Sequence, residues 1–195
     1  MPFADGNHGQ GMITAIALSA VAEALPRLAS WQVLRDDEIW VGCTHAEGEP
    51  WCRAIGTVDA PPEQVLDQLM RFEDYPEAFT RVGEVERLSD DVVRMTLELP
   101  FPFAQREHLA RFVTHADGDE IVIGWEPVAH THDSDAVCLP DYAGEWRLVP
   151  DGESTEVHYT WHADLRGDMP TWTLPRARVT QGSEVLAELD ASLRR

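Results

Sequence analysis

Between Val82 and Ala163 the hydrophobic residues keep a period of two, and no other feature restricts the fold as much. Met95 and Leu97, then Ile121, Ile123 and Trp125, then Trp146 and Leu148, then Val157, Tyr159 and Trp161 stand two apart. Arg94, Thr96, Arg147, Glu156, His158, Thr160 and His162 fill positions between them. Successive side chains of a strand point to opposite faces, so the alternation predicts antiparallel strands with one packed and one wet face. Strands are expected near 82–88, 91–99, 105–115, 120–127, 143–149 and 154–163. Turns such as Ser89-Asp90, Asp117-Gly118-Asp119 and Pro150-Asp151-Gly152 separate them. A sheet this broad with one apolar face needs another element to cover it.

The chain supplies a covering element at its end. From Thr173 or Pro175 to Leu193, Val179, Val185, Leu186, Leu189 and Leu193 fall at mostly helical spacing, with Gly182 expected to weaken or bend the helix. Upstream, Ile39–His45 and Trp51–Val58 read as strands joined across Ala46-Glu47-Gly48-Glu49-Pro50. A helix then starts at Ala60-Pro61-Pro62-Glu63, carries Val65, Leu66, Leu69 and Met70, and ends before Tyr75-Pro76. Residues 1–11 are Gly-rich and polar and are expected to be flexible. Met12–Ala24 reads first as an N-terminal helix, with Ile13, Ile16, Ala17, Ala20, Val21, Ala24 and Leu25 on one side. The alternative is the apolar stretch of a secretory signal, although no Lys or Arg precedes it. At 195 residues the chain suits one domain, 12–195. The fold class is α+β, a long antiparallel sheet curled around the C-terminal helix.

Charge then narrows the function. Fifteen basic residues, all arginine, stand against thirty-five acidic ones, a net charge of −20. A field of that sign repels phosphate backbones, and no cluster is denser than Arg176 with Arg178 or Arg194-Arg195, which excludes nucleic acid as a partner. Contact with an anionic membrane is at most transient. Cys43, Cys52 and Cys138 form no CxxC pair and are odd in number, so buried free thiols are expected rather than a disulfide framework. His130, His132, Asp133 and Asp135 form an H-x-H-D-x-D group, and His158 and His162 share a strand face. Their spacing matches no zinc or calcium pattern, so no metal is expected. No cofactor is expected either, since nucleotide-binding, nucleophile-elbow and HExxH motifs are absent. A cytoplasmic monomer is the expectation, with a periplasmic location if Met12–Ala24 is a signal.

An ordered set of residues resembles a known family. It comprises Trp31, Asp36-Asp37-Glu38-Ile39-Trp40-Val41, Arg53-Ala54-Ile55-Gly56-Thr57-Val58-Asp59-Ala60-Pro61, Tyr75-Pro76, Leu99-Pro100-Phe101-Pro102 and Arg106-Glu107. It is densest in Gly144, Trp146, Leu148, Pro150, Thr155, Val157, Tyr159, Asp164, Gly167, Pro170 and Trp172. Over about residues 31–193 this resembles bacterial START (steroidogenic-acute-regulatory-related lipid-transfer) domains of the helix-grip, or SRPBCC, superfamily, which includes polyketide cyclases. Glu107 stands where that family more often has Asp, and Pro175 stands where its last helix is usually under way.

The resemblance implies one hydrophobic ligand, a lipid, sterol or polyketide-like molecule, held between the sheet and the last helix. Inner-face positions Met95, Ile123, Trp125, Trp146, Tyr159 and Trp161 are the candidate walls, each with core packing as the alternative. Trp172 and Pro170 stand at the entry to the last helix. Arg106 is a candidate for an anionic head group, although an ion pair with Glu107 or another strand carboxylate is the commoner fate. Phe101 and Phe103 read as either an apolar loop tip or core anchors. Non-catalytic binding leads. The alternatives are a cyclase or aromatase using the same cavity, helped by Tyr159, Arg106 or an inward histidine, and an interaction module.

Overall fold

Ten strands join in one sheet in the computed structural model, which describes residues 30–46, 49–129, 135–166 and 171–195. They are β1 Gln32–Arg35, β2 Trp40–Ala46, β3 Glu49–Val58, β4 Val82–Arg87, β5 Val92–Leu97, β6 Arg106–Asp117, β7 Glu120–Pro127, β8 Val137–Cys138, β9 Ala143–Asp151 and β10 Ser154–His162. The order across the sheet is β1-β2-β3-β10-β9-β7-β6-β5-β4, with every neighbouring pair antiparallel. β8 lies beside the start of β6 and pairs with it in parallel. Two meanders, one from each end of the chain, therefore meet where β3 pairs with β10. The six strands expected from the period between 82 and 163 are all present. β1 and β8 have no counterpart in the sequence pattern, because strands of four and two residues are too short to display a period.

Helix α1, Pro62–Leu69, opens with proline and Glu63 in its first turn and buries Val65, Gln68 and Leu69. After it the chain makes a tight turn at Phe72–Asp74 and restarts as α2, Tyr75–Ala78, with Pro76 in the first turn. Phe72 is fully buried, and the Tyr75 hydroxyl donates to the Leu69 carbonyl at 2.7 Å. Tyr75-Pro76 thus begins an element as well as following one.

Helix α3, Leu174–Leu193, lies across the apolar face of the sheet. Pro175 falls in its first turn, where a missing amide costs nothing. With Gly182 in its interior the helix runs on over twenty residues. Gly182 is buried, and a Cβ there would lie 2.9 Å from the Ala54 Cβ and 3.0 Å from Trp161. Glycine lets the helix and sheet approach. Leu186 and Leu189, further along, are buried in the core. Polar contacts fasten the same helix, Arg35 Nη1 to Ser183 Oγ at 2.8 Å and Thr80 Oγ1 to Glu188 Oε1 at 2.5 Å.

A correction concerns the cysteines. Cys43 and Cys52 stand directly opposite in the β2–β3 ladder, with Cα atoms 4.1 Å apart, and form a disulfide; Cys138 is free. Counting cysteines could not show this, because the pairing follows from strand register. The outer face of the sheet is also drier than its polar alternation suggests. Thr160 and His162 are buried there, the first accepting a hydrogen bond from Arg53 Nε at 2.8 Å and the second packed against Trp51 at 5.2 Å. Residues 1–11, expected to be flexible, Met12–Ala24, expected to be a helix or a signal, and the expected turn at Glu47-Gly48 lie outside the described residues.

Candidate functional site: a cavity between the sheet and the last helix

Between the sheet and α3, along the helix face from Arg176 to Glu188, lies a cavity of about 460 Å³. That volume lies within the range of small-molecule sites. Phe112 of β6, Trp125 of β7, Trp146 of β9 and Tyr159 of β10 form its sheet wall. Tyr75 and Phe79 close one side, and the segment Leu97–Phe103 contributes Leu97, Leu99, Pro100 and Phe103. Ala177, Thr180, Gln181 and Val185 face them from α3. Period two explains the sheet wall: neighbouring strands in register set Trp146 beside Tyr159 with ring centroids 4.3 Å apart. Trp125 stacks on Tyr159 at 5.8 Å and Tyr159 on Trp161 at 4.7 Å.

Polar atoms in this wall are few and uncharged. The Tyr142 and Tyr159 hydroxyls lie 3.2 Å apart, and Gln181 Nε2 donates to the Tyr159 oxygen at 3.4 Å. Burial pushes the Tyr159 phenol up and the Tyr142 phenol well above its ordinary range, with the neighbouring Tyr159 adding to the latter, so both stay neutral at ordinary pH. The charged lining residues stand at the solvent side. Arg81 holds Glu184 through two hydrogen bonds, of 2.6 and 3.2 Å, and these two side chains keep 35% and 39% of their surfaces exposed. Glu98, Arg176 and Glu188 complete this rim.

The sequence-based candidates divide. Trp125, Trp146, Tyr159 and Trp172 line the cavity, Trp172 from the rim with 81% of its surface exposed. Met95 and Ile123 do not; they share the inner face but lie in the packed core. Trp161 borders a neighbouring hollow of about 190 Å³ that also meets Cys52, Leu174 and Gln181. The reading of Arg106 as a head-group ligand or a partner of Glu107 is corrected. Its guanidinium donates to three carbonyls, Leu165 at 2.7 Å, Ala104 at 2.5 Å and Arg166 at 3.1 Å. Arg106 is a brace that ties the loop before β6 to the loop after β10. Phe103 faces the cavity, whereas Phe101 is 97% exposed.

Sequence reasoning did not find Tyr142, Tyr75, Phe79 or Gln181. Tyr142 lies in an irregular stretch before β9, where no period marks a face. For α3 a signal was present: Ala177, Gln181 and Val185, and Thr180, Glu184 and Glu188, follow each other at four-residue steps on the cavity side. Following only the apolar residues leads to the core side instead. Among the metal candidates, His130, His132 and Asp133 lie outside the described residues. His158 Nε2 sits 2.7 Å from Glu156, and His162 Nδ1 sits 2.9 Å from the Pro50 carbonyl. Among the described residues no group of three or more His, Cys, Asp or Glu is placed to hold a metal.

Comparison with known proteins accords with this architecture. A model of a family described as polyketide cyclase / dehydrase and lipid transport matches residues 55–195. A STAR-related lipid transfer protein from Xanthomonas axonopodis is similar in structure, with TM-score 0.75 and 24% identity over 85% of this chain and 99% of that one. Human STARD10 gives TM-score 0.74 and 16% identity over 88% of this chain and 76% of that one. The Zhui aromatase/cyclase from Streptomyces sp. R1128 gives TM-score 0.54 and 19% identity over 74% and 93%. No curated protein matches the chain. With a family model covering most of its length and a sheet gripping one long helix, the chain belongs to the polyketide cyclase / dehydrase and lipid transport family and has the START-type helix-grip fold.

Proposed function

We propose that the protein binds one hydrophobic molecule in the cavity under α3 and carries it, without chemical change, between membranes or partners. The observation that supports this is the lining itself: aromatic and aliphatic walls, neutral polar side chains such as Tyr142, Tyr159 and Gln181 in the interior, and charge confined to a partly exposed rim. Each Å² of apolar surface that a ligand removes from water contributes about 25 cal/mol, so such a space holds a lipid-sized molecule by area. A cyclase reading has the aromatase/cyclase neighbour in its favour. Acid–base catalysis near neutrality works best with a group whose pKa lies near the operating pH, and burial has moved the cavity phenols away from it. The Cys43–Cys52 bond adds weight to an oxidising compartment outside the cytoplasm.

Native mass spectrometry of the purified protein, followed by organic extraction, tests the proposal. A single hydrophobic molecule per chain, recovered unchanged, is expected. Protein that carries nothing and fails to take up a fluorescent fatty acid or sterol sinks it, and a molecule recovered in altered form moves the reading to the cyclase.

A further inference from the structure

Resting on that reading, we infer that the cavity selects an uncharged ligand bearing a hydrogen-bond-accepting oxygen, a carbonyl or a hydroxyl, and that Tyr142, Tyr159 and Gln181 read it. Two phenols carry two hydroxyl hydrogens, and their mutual bond at 3.2 Å uses one of them. Gln181 occupies the Tyr159 oxygen as a donor and takes neither. One hydroxyl hydrogen is therefore left without an acceptor among the described residues. Turning the Gln181 amide over does not change the sign. Its oxygen would then accept that hydrogen, and its own two N–H hydrogens would become the surplus, on a residue that lines the same cavity. In either orientation the trio of Tyr142, Tyr159 and Gln181 keeps donor hydrogens without an acceptor among the described residues.

A buried donor without a partner is costly, and a ligand oxygen removes that cost where an alkane cannot. A carboxylate or phosphate does not fit the same place. It would lose its hydration and meet only neutral donors, because Arg106 is committed to backbone carbonyls. At the rim Arg81 is already paired with Glu184, and Arg176 stands exposed to solvent among three glutamates, so an anion held there keeps its head outside the buried wall. The expected class is a long or ringed hydrocarbon with a ketone, ester or alcohol oxygen at its inner end.

Three probes of equal chain length decide it: methyl pentadecyl ketone, heptadecane and heptadecanoic acid. Each is delivered from cyclodextrin to displace N-phenylnaphthylamine, at a pH where the acid is ionised. The ketone is expected to bind about five- to tenfold more tightly than the alkane, the range of one net hydrogen bond, and at least as far ahead of the acid. In the Tyr142→Phe/Tyr159→Phe/Gln181→Leu protein the rings and their stacking remain and no donor of the trio is left, so the alkane affinity should hold while the ketone advantage falls below about twofold. An acid that binds as well as the ketone, or a ketone advantage that survives in the triple variant, overturns the inference. Failure of the naphthylamine and the alkane to enter the wild-type protein overturns hydrophobic binding itself, and the selection with it. If the triple variant also loses the naphthylamine, the wild-type ranking decides: a ketone that binds no better than the alkane, or no better than the acid, overturns the inference.

Discussion

At Gly182 two effects of opposite sign can be compared in size. Alanine in a helix interior is better than glycine by about 1 kcal/mol. Its Cβ, however, would press on Ala54 and Trp161 at 2.9 and 3.0 Å, and overpacking a tight site costs about 1–3 kcal/mol. Gly182→Ala is expected to lower stability by up to about 2 kcal/mol, read as a fall in thermal midpoint; a rise would show that the helix backs off freely. At Glu73, hydrogen bonds from Arg87 hold the carboxyl down at about 2, against 4.5 for a free one. A depressed carboxyl stabilises the fold above its unfolded value, and that contribution is lost as pH falls from 4.5 toward 2. The pair is largely solvent-exposed, so Glu73→Gln should cost under about 1 kcal/mol at neutral pH. In urea unfolding the difference from wild type should shrink below pH 4.5 and vanish only below about pH 2. At this scale the aromatic wall was legible, since Trp125, Trp146 and Tyr159 obey a period. The brace at Arg106 was not, because residue order does not say which carbonyls a guanidinium will meet.

Among elements, the β2–β3 hairpin carries a prediction that is easy to read. Its disulfide closes a loop of nine residues' separation, for which a chain-entropy contribution of about 2–3 kcal/mol is expected. The ladder already holds these strands together, so removing the bond by Cys43→Ala/Cys52→Ala should cost about 2 kcal/mol in denaturant unfolding. Iodoacetamide in denaturant should label one thiol before reduction, Cys138, and all three after it. Three labels before reduction would remove the bond from the fold. The longer strands and the final helix were legible in the sequence because each runs for several periods. β8 and the restart at α2 were not, since a two-residue strand and a four-residue helix are set by their neighbours. The cavity side of α3 was hidden for a related reason. Helix packing is read from apolar residues, whereas a helix over a cavity presents polar ones such as Gln181 and Thr180.

At the scale of the whole molecule, the architecture followed from the alternation of residues 82–163 and the helix after it, but the cavity volume did not. Whether α3 seats fully on the sheet depends on Gly182 and on the bulk of Phe79, Phe112 and Tyr142 together, which no single stretch of sequence reports. Phe101 is almost fully exposed on the segment that forms part of the cavity wall, and under the proposed carrier function it is the residue we propose for contact with a donor or acceptor membrane. Phe101→Ser should slow transfer of a fluorescent sterol between vesicles several-fold and leave equilibrium occupancy unchanged; equal transfer rates would remove Phe101 from the delivery step. The cavity also carries its own chromophores. Tyr75, Tyr142 and Tyr159 are the only tyrosines of the chain, all line the cavity, and burial pushes each phenol above its ordinary 10.0. Groups raised in this way stabilise the fold below pH 10 and withdraw that support as the solution becomes more alkaline. With no lysine to titrate alongside them, phenolate absorbance should stay silent beyond pH 10 and then appear in one steep step as the wall opens. A bound ligand should move that step to higher pH, so an alkaline titration in a spectrophotometer reports occupancy without a label.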